Sequence, residues 1–368
     1  MTIVSLSISV LGPFQATLAG VPVSDFKYNK ARALLAYLAL EADRPHSRGE
    51  LCALLWSELP ERAARRNLTQ VLVALREALG ESETGAAWLL TSAESVRLNA
   101  DQALWVDARQ FEAWLDGAER HPHRSWRTCP ACAETLTAAI AAYRGDCLSQ
   151  LMVADSAPFE EWALVWRERL RQRAFSALER LIERAEWCGA YPAAVDYARR
   201  LAALDPLREA SQRALLRLLA LDGQAAAAEA QFQQLQRTLA DELGVEPEAE
   251  TRRLHALARA GQLEPLRQRG APPVNGPLPP GPLVGRDDEG RSVCAQLRDE
   301  SVRVLTLTGP PGIGKTRLAL EAAHRLRFDF EDGVHVVELA ATAEAELVLP
   351  AIAQTLVVPE KAGQLLAA

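Results

Sequence analysis

The chain has 368 residues, 49% hydrophobic and 24% charged, the balance of an ordinary globular protein with room for two or three domains. A net charge of −7 excludes a chain coated in nucleic acid along its length, while leaving a local basic face open. Six cysteines without a disulfide framework, no basic n-region in "MTIVSLSISVLG" and no apolar run near the ~20 residues that span a bilayer predict a cytoplasmic location with no membrane contact.

From the N-terminus, "LSISVLG", "QATLAG" and "VPV" predict a small antiparallel sheet, with "AGVP" as a turn signal. "NKARALLAYLALEA" reads as an amphipathic helix. In "HSRGELCALLW", Ser47 as N-cap and Glu50 three residues on make a capping box before a second helix. A third helix is expected over Glu61–Leu79, followed by a hairpin in "WLLTSAESVRLN". Sheet, three helices and hairpin in that order describe a winged helix-turn-helix over residues 1–103.

At helical spacing, Leu68, Val71, Leu72, Leu75 and Leu79 share one stripe of the third helix, which must face a core. The opposite stripe carries Arg62, Arg66, Thr69, Gln70 and Val73, flanked by Arg65 and Arg76. Guanidinium groups suit phosphates and guanine edges, glutamine suits adenine, and an exposed valine suits a thymine methyl. A solvated, arginine-rich outer face is the plain alternative. The winged-helix order favours DNA contact.

Residues 104–263 are rich in Ala, Leu and Arg at helical spacing. Gly189 followed by Ala193 and Ala194 recurs 34 residues on as Gly223, Ala227 and Ala228, a tetratricopeptide-like period. Within this region His121, His123, Cys129 and Cys132 fall in "HPHRSWRTCPAC", donors apt for a tetrahedral zinc that would pin a loop. A redox-labile cysteine pair or simple helix-start punctuation remain open there. Residues 264–283 hold seven prolines and read as an extended linker that forms neither helix nor central strand.

From residue 284 onward the chain reads as the front of a P-loop domain. "VRVLTLT" is expected as a buried strand, leading into "GPPGIGKT" and a helix. The loop residues Gly309, Pro310, Pro311, Gly312, Ile313, Gly314, Lys315, Thr316 and Arg317 would cradle the phosphates of ATP or ADP. Lys315 would reach the β- and γ-oxygens and Thr316 would ligate Mg²⁺. After the loop no apolar strand ends in paired acids, and Glu338 sits inside "VHVVELA", ahead of where such a strand belongs. Hydrolysis is therefore not expected, no catalytic residues are assigned, and the chain is read as a non-enzyme. It is expected to be a fragment of a longer regulator or a gene shortened to its DNA-binding half.

"RALLAYLALEADRPHSRGELCALLW" and "NLTQVLVALREALG" resemble the OmpR-like winged helix of SARP-like bacterial transcriptional activators, the antibiotic-regulatory-protein type. "AYRGDCL", "FEEW", "LDPLREASQRALLRLLALDGQ" and "LADELGVEPEAET" resemble their bacterial transcriptional activator domain (BTAD). "LVGRDDEG" with the glycine loop is similar to the start of a STAND/NB-ARC-type NTPase, which would place Val284 and Arg286 near the nucleotide. The sequence departs from the family pattern at Thr69, where that pattern has a basic residue.

The fold class so implied is mainly α and multidomain: winged helix-turn-helix, TPR-like helical domain, partial α/β P-loop NTPase. The resemblance implies promoter DNA and RNA polymerase as partners, with self-association through the helical domain. The competing reading is an ATP-binding signalling switch or adaptor whose winged helix serves protein contacts, although such an adaptor would not need the arginine stripe.

Overall fold

The computed structural model describes residues 5–99, 102–122, 126–127, 129–263, 274–275, 285–299, 301–326, 329–330, 333–340, 342 and 344–356. Strands β1 (Ser5–Ser9) and β2 (Gln15–Leu18) pair antiparallel, and β3 (Val21–Pro22) extends the sheet. Leu6 and Ile8 point into the core while the alternate serines point out, the period of a half-buried strand. Ala19 and Gly20 both take positive φ (49° and 81°) in the two-residue β2–β3 turn, as a tight hairpin of that length demands.

Helix α1 (Asn29–Leu40) corrects the amphipathic expectation, because every residue from Ala33 to Leu40 is buried. Apolar on all sides, it occupies the centre of the unit rather than its surface. Strand β4 (His46–Ser47) leads into α2 (Arg48–Leu55), where the Ser47 hydroxyl accepts the Glu50 amide at 3.1 Å. The box is not reciprocal. Glu50 turns to Arg44 and Tyr37, and the hydrogen bond from Arg44 is the main reason its carboxyl is held down at about 2.

Trp56–Pro60 connects α2 to α3 (Glu61–Ala78). The leucine stripe Leu68, Leu72, Leu75 and Leu79, with Val71, is buried as its spacing requires. A short helix α4 (Glu81–Thr84) precedes the hairpin β5 (Leu89–Thr91) and β6 (Ser95–Leu98); β4 completes that sheet in the order β4-β6-β5. Strand β7 (Ala103–Val106) then returns to pair parallel with β1, giving the first sheet the order β3-β2-β1-β7.

The helical part comprises α5 (Asp107–Arg120), α6 (Pro130–Ala142), α7 (Ala157–Trp187), α8 (Tyr191–Leu204), α9 (Glu209–Leu221), α10 (Ala225–Leu243) and α11 (Ala249–Arg259). From α7 to α11, successive helices pack on one another. The 34-residue offset is visible in the turns. Gly189 (φ 68°) ends α7 and Gly223 (φ 78°) ends α9; after them the Ala190 and Gln224 amides each reach back to a helix carbonyl, Ala185 and Leu219, at 2.8 Å. Glycine adopts this left-handed helix-ending turn without a Cβ penalty.

One continuous apolar core runs from Leu6 to Ala228, and β7 straddles the expected boundary at residues 103 and 104. The sheet of the winged helix and the first helices beyond it are thus packed as one body.

Past residue 263, β8 (Val274–Asn275) pairs parallel with β9 (Val334–His335), and α12 (Asp287–Arg298) packs on α13 (Lys315–Leu326). A 3₁₀ turn (Ala345–Leu347) and α14 (Val348–Thr355) follow. Val274 and Asn275, between the prolines at 273 and 277, retain their N–H groups and form one strand of this two-stranded ladder, extended and not central. One expectation is corrected here. Residues 302–308, expected as a buried strand, join no ladder among the described residues, and Val304 is 82% exposed. A run becomes a ladder strand only where a neighbour pairs with it, and the described ladder of this region, β8 with β9, is two residues long.

No described helix is long and apolar enough to cross a membrane.

Candidate nucleic-acid interface and nucleotide loop

Helix α3 is the second helix of a helix-turn-helix, and its outward face holds the predicted contact residues in unequal states. Arg62, Arg66, Gln70 and Val73 are exposed, Val73 by 48%, and the two arginines make no ion pair among the described residues. Arg65 is already engaged, pairing with Glu61 one turn back at 2.8 Å. Thr69 donates its hydroxyl to the Arg65 carbonyl at 2.9 Å, so it is turned onto its own helix. Arg76 leaves the face altogether: it pairs with Glu81 at 3.3 Å and bonds Thr91 on β5, pinning helix to hairpin.

Two cations beside this face were not singled out from the sequence. Arg97 is exposed on β6, and Arg48 donates Nε to the Ser92 carbonyl at the hairpin turn, at 3.1 Å. Strand alternation in "SVRL", with Val96 and Leu98 buried, is the signal that puts Arg97 outside.

Groups remote from this face tie the winged helix to the helices beyond it. Asp107, 2% exposed at the start of α5, accepts the Val10 and Leu11 amides at 2.8 and 3.0 Å and the Ala108 amide at 2.8 Å. Burial outweighs these donors and pushes its carboxyl above the usual range, while Arg144 approaches at 3.4 Å. The "YRGDCL" run supplies the other half of this clasp. The Gly12 amide donates to the Asp146 carbonyl at 3.2 Å and the Leu148 amide to the Val10 carbonyl at 2.9 Å. Gly12 turns there at φ 109°, a backbone conformation that L side chains rarely adopt. On the far side, Trp162 and Trp166 of α7 both donate to Glu41 at 3.0 Å, and the Ser156 hydroxyl donates to the Leu55 carbonyl at 2.8 Å.

The glycine loop leads directly into α13. Gly309, Gly312 and Gly314 have φ of 154°, 79° and 91°, a backbone path that L side chains resist. Lys315 Nζ donates to the Gly309 and Pro310 carbonyls at 2.9 Å each, so its cation stands over the loop. Pro310, Pro311, Ile313, Thr316 and Arg317 are exposed around it. The donor set fits an anionic phosphate, because a cation, the loop amides and the N-terminus of a helix converge. Arg286 caps α12, which packs on α13, whereas Val284 lies outside the described residues. An apolar groove of about 670 Å³, lined by Leu305, Leu307, Ala319, Ala323 and Val337, reaches the loop at Lys315 and Thr316.

Of the predicted metal ligands, His121, Cys129 and Cys132 are brought together, with their ligand atoms all within 4.8 Å of one another. His123 lies outside the described residues. Cys147 is held elsewhere, bridging to Leu11 and Gly12. Burial, with Cys129 beside it, pushes the Cys132 thiol up to about 12.

The described chain is thus a helix-turn-helix with a hairpin wing, fused through one core to a stack of helices. Residues 106–258 match the family described as "Bacterial transcriptional activator domain". Over 94% of its length the chain is 28% identical to regulatory protein AfsR of Streptomyces griseus and 30% identical to AfsR of Streptomyces coelicolor. It spans 35% of the length of each of those relatives. The structure of Mycobacterium tuberculosis EmbR in complex with a low affinity phosphopeptide resembles it with a TM-score of 0.51 and 25% identity, over 71% of this chain and 66% of that one. The matched relatives are regulatory proteins, and the chain shares the mainly helical fold of the EmbR structure.

Proposed function

We propose that the protein is a sequence-specific DNA-binding transcriptional activator that reads promoter DNA with α3. The observation that carries this reading is the unpaired face of Arg62, Arg66, Gln70 and Val73, opposite a fully buried leucine stripe on the second helix of a helix-turn-helix. In the major groove, Gln70 and Val73 would meet base edges while Arg62 and Arg66 take phosphates or guanine. Arg97 on the hairpin would meet the flanking backbone. Helices α5–α11 are the candidates for self-association and for RNA polymerase contact, in the cytoplasm where promoter DNA lies. The regulator acts by binding rather than by catalysis.

The glycine loop adds nucleotide control to this reading. Lys315 and the loop amides would hold the phosphates of ATP or ADP and Thr316 would supply a hydroxyl to Mg²⁺; the bound nucleotide would supply a charge-dependent switch. The test is an electrophoretic mobility shift of residues 1–368 on DNA upstream of the neighbouring genes, with and without Mg-ATP. A sequence-specific shift lost in Arg66→Ala supports the reading, and a response to ATP supports nucleotide control. No specific shift in either condition would overturn it in favour of a protein-binding adaptor.

A further inference from the structure

The geometry points to a zinc site formed by His121, Cys129 and Cys132 that clamps the α5–α6 connection. The DNA-binding reading does not use these residues.

Their positions follow from the helix ends. His121 is the C-cap of α5; Cys129 is the N-cap of α6, with Pro130 as the first helical residue and Cys132 in the first turn. Two cysteines three apart across a helix start bring their sulfurs to one side, and the preceding helix delivers an imidazole to the same point. Nδ1 of His121 lies 3.6 Å from Sγ of Cys129. For a tetrahedral zinc with Zn–S of about 2.3 Å and Zn–N of about 2.05 Å, the N···S edge is about 3.6 Å. The observed spacing, a hydrogen-bond contact without an ion, matches the edge of a zinc tetrahedron. All three donor atoms fall within 4.8 Å, close enough to share one ion with small side-chain rotations.

Charge and surroundings agree with that assignment. Both sulfurs are buried and His121 is exposed, so an ion here would have its fourth position on the solvent side, open to water. Two buried thiolates alone would be costly, whereas two thiolates and Zn²⁺ sum to zero charge. The N-terminus of α6 also favours negative sulfur. Cys132 Sγ also approaches the Ala118 carbonyl of α5 at 3.7 Å, which places it against the helix that carries His121. No substrate-sized pocket lines the triad among the cavities described, so the ion acts as a structural clamp. The consequence is mechanical. Asp107 fixes the N-terminal end of α5 to the sheet, and the zinc fixes its C-terminal end to α6.

The test uses the full chain, reduced and freed of metal, titrated anaerobically with Co²⁺ as a spectroscopic probe. The site predicts one equivalent per chain, intense visible d–d bands of a tetrahedral ion and a near-ultraviolet thiolate-to-cobalt band, all displaced by Zn²⁺. Cys129→Ser and Cys132→Ser should each bind cobalt more weakly and roughly halve the thiolate band, and the double variant should lose it. Cys188→Ser, at the exposed cysteine on the far end of α7, should keep it. Should the cysteine variants misfold, His121→Ala decides on an exposed side chain: it should retain a thiolate band, bind cobalt more weakly and change the d–d envelope. An octahedral cobalt spectrum in the reduced wild type would overturn the site. So would a His121→Ala titration identical to wild type, or reduced protein that binds no metal and reoxidises to a Cys129–Cys132 disulfide.

Discussion

Replacing Asp107 by alanine should loosen both the winged helix and the helical region at once. The carboxylate is the acceptor for three amides, those of Val10, Leu11 and Ala108, in a place where water does not reach, since Asp107 is 2% exposed and Val10 and Leu11 are fully buried. An orphaned buried N–H costs about 1–3 kcal/mol, and partial relaxation of three of them leaves an expected loss of about 3–5 kcal/mol. Asparagine should be milder, at about 1–2 kcal/mol. It keeps an oxygen for Val10 and Ala108 and removes a charge that burial disfavours, but it presents an NH₂ to the Leu11 amide. The assay is amide hydrogen exchange with urea unfolding in parallel. At about 1.4 kcal/mol per decade, exchange at Val10 and Leu11 should speed up by roughly two to three and a half decades in Asp107→Ala. Amides of the buried face of α1 should follow, because one core holds them. Exchange at Val10 and Leu11 within a few-fold of wild type would refute the clasp. Faster exchange there with an unaltered α1 would refute the single core.

Other consequences can be measured separately. Arg62→Ala with Arg66→Ala should flatten the salt dependence of DNA binding by about 1.8 in log–log slope if both meet phosphate, as each contact contributes about 0.9; Arg65→Ala should change it less, because Glu61 already shares that guanidinium. Glu50 makes stability acid-sensitive. Its folded-state carboxyl is held down at about 2, chiefly by the hydrogen bond from Arg44, so its contribution is present above the ordinary carboxylate range and lost as pH falls from about 4.5 through about 2. Discounted for its partial exposure, that is about 1 kcal/mol, and urea unfolding between those pH values should show a shallower slope in Glu50→Gln than in wild type, where Asp116, Glu168 and Glu229 also contribute. Lys315→Ala should abolish binding of a fluorescent ATP analogue and leave the ATP-free DNA shift intact, since the Lys315 ammonium donates to carbonyls of its own loop; retained nucleotide affinity would remove the loop from the reading.

The sequence was most legible where one physical demand dominates a segment. Helix α3 separates an apolar from a basic stripe, so its buried leucines and exposed arginines could be assigned from spacing alone. Helix α1 misled because it is buried all round, and spacing cannot show how many neighbours will cover a helix. The Asp107 clasp was invisible because its partners lie 97 and 96 residues away and backbone amides carry no sequence signature. Thr69 and Arg76 sat at plausible contact positions, yet one bonds its own helix and the other the hairpin, choices made by rotamers rather than spacing. Around the glycine loop the local motif was readable, while the sheet expected beneath residues 302–308 depends on pairing that no local pattern dictates.

The clasp and the tryptophan grip bear on how such a regulator would read paired sites. Asp107 and the 144–148 run hold β1, while Trp162, Trp166 and Ser156 hold α1 and α2 from the other side. Helix α3 therefore has no free hinge relative to α5–α7. If the helical region pairs two copies, as proposed above, the two recognition helices are set at a fixed spacing and rotation. Inserting about half a helical turn, 5 bp, between two operator repeats should then abolish cooperative binding, and inserting about 10 bp should restore part of it. A flexibly tethered winged helix would tolerate both insertions with only a gradual loss as the effective concentration falls. Footprinting on the three spacings distinguishes the two. Equal cooperativity at all of them would mean that the sheet and helices seen here as one body do not act as one on DNA.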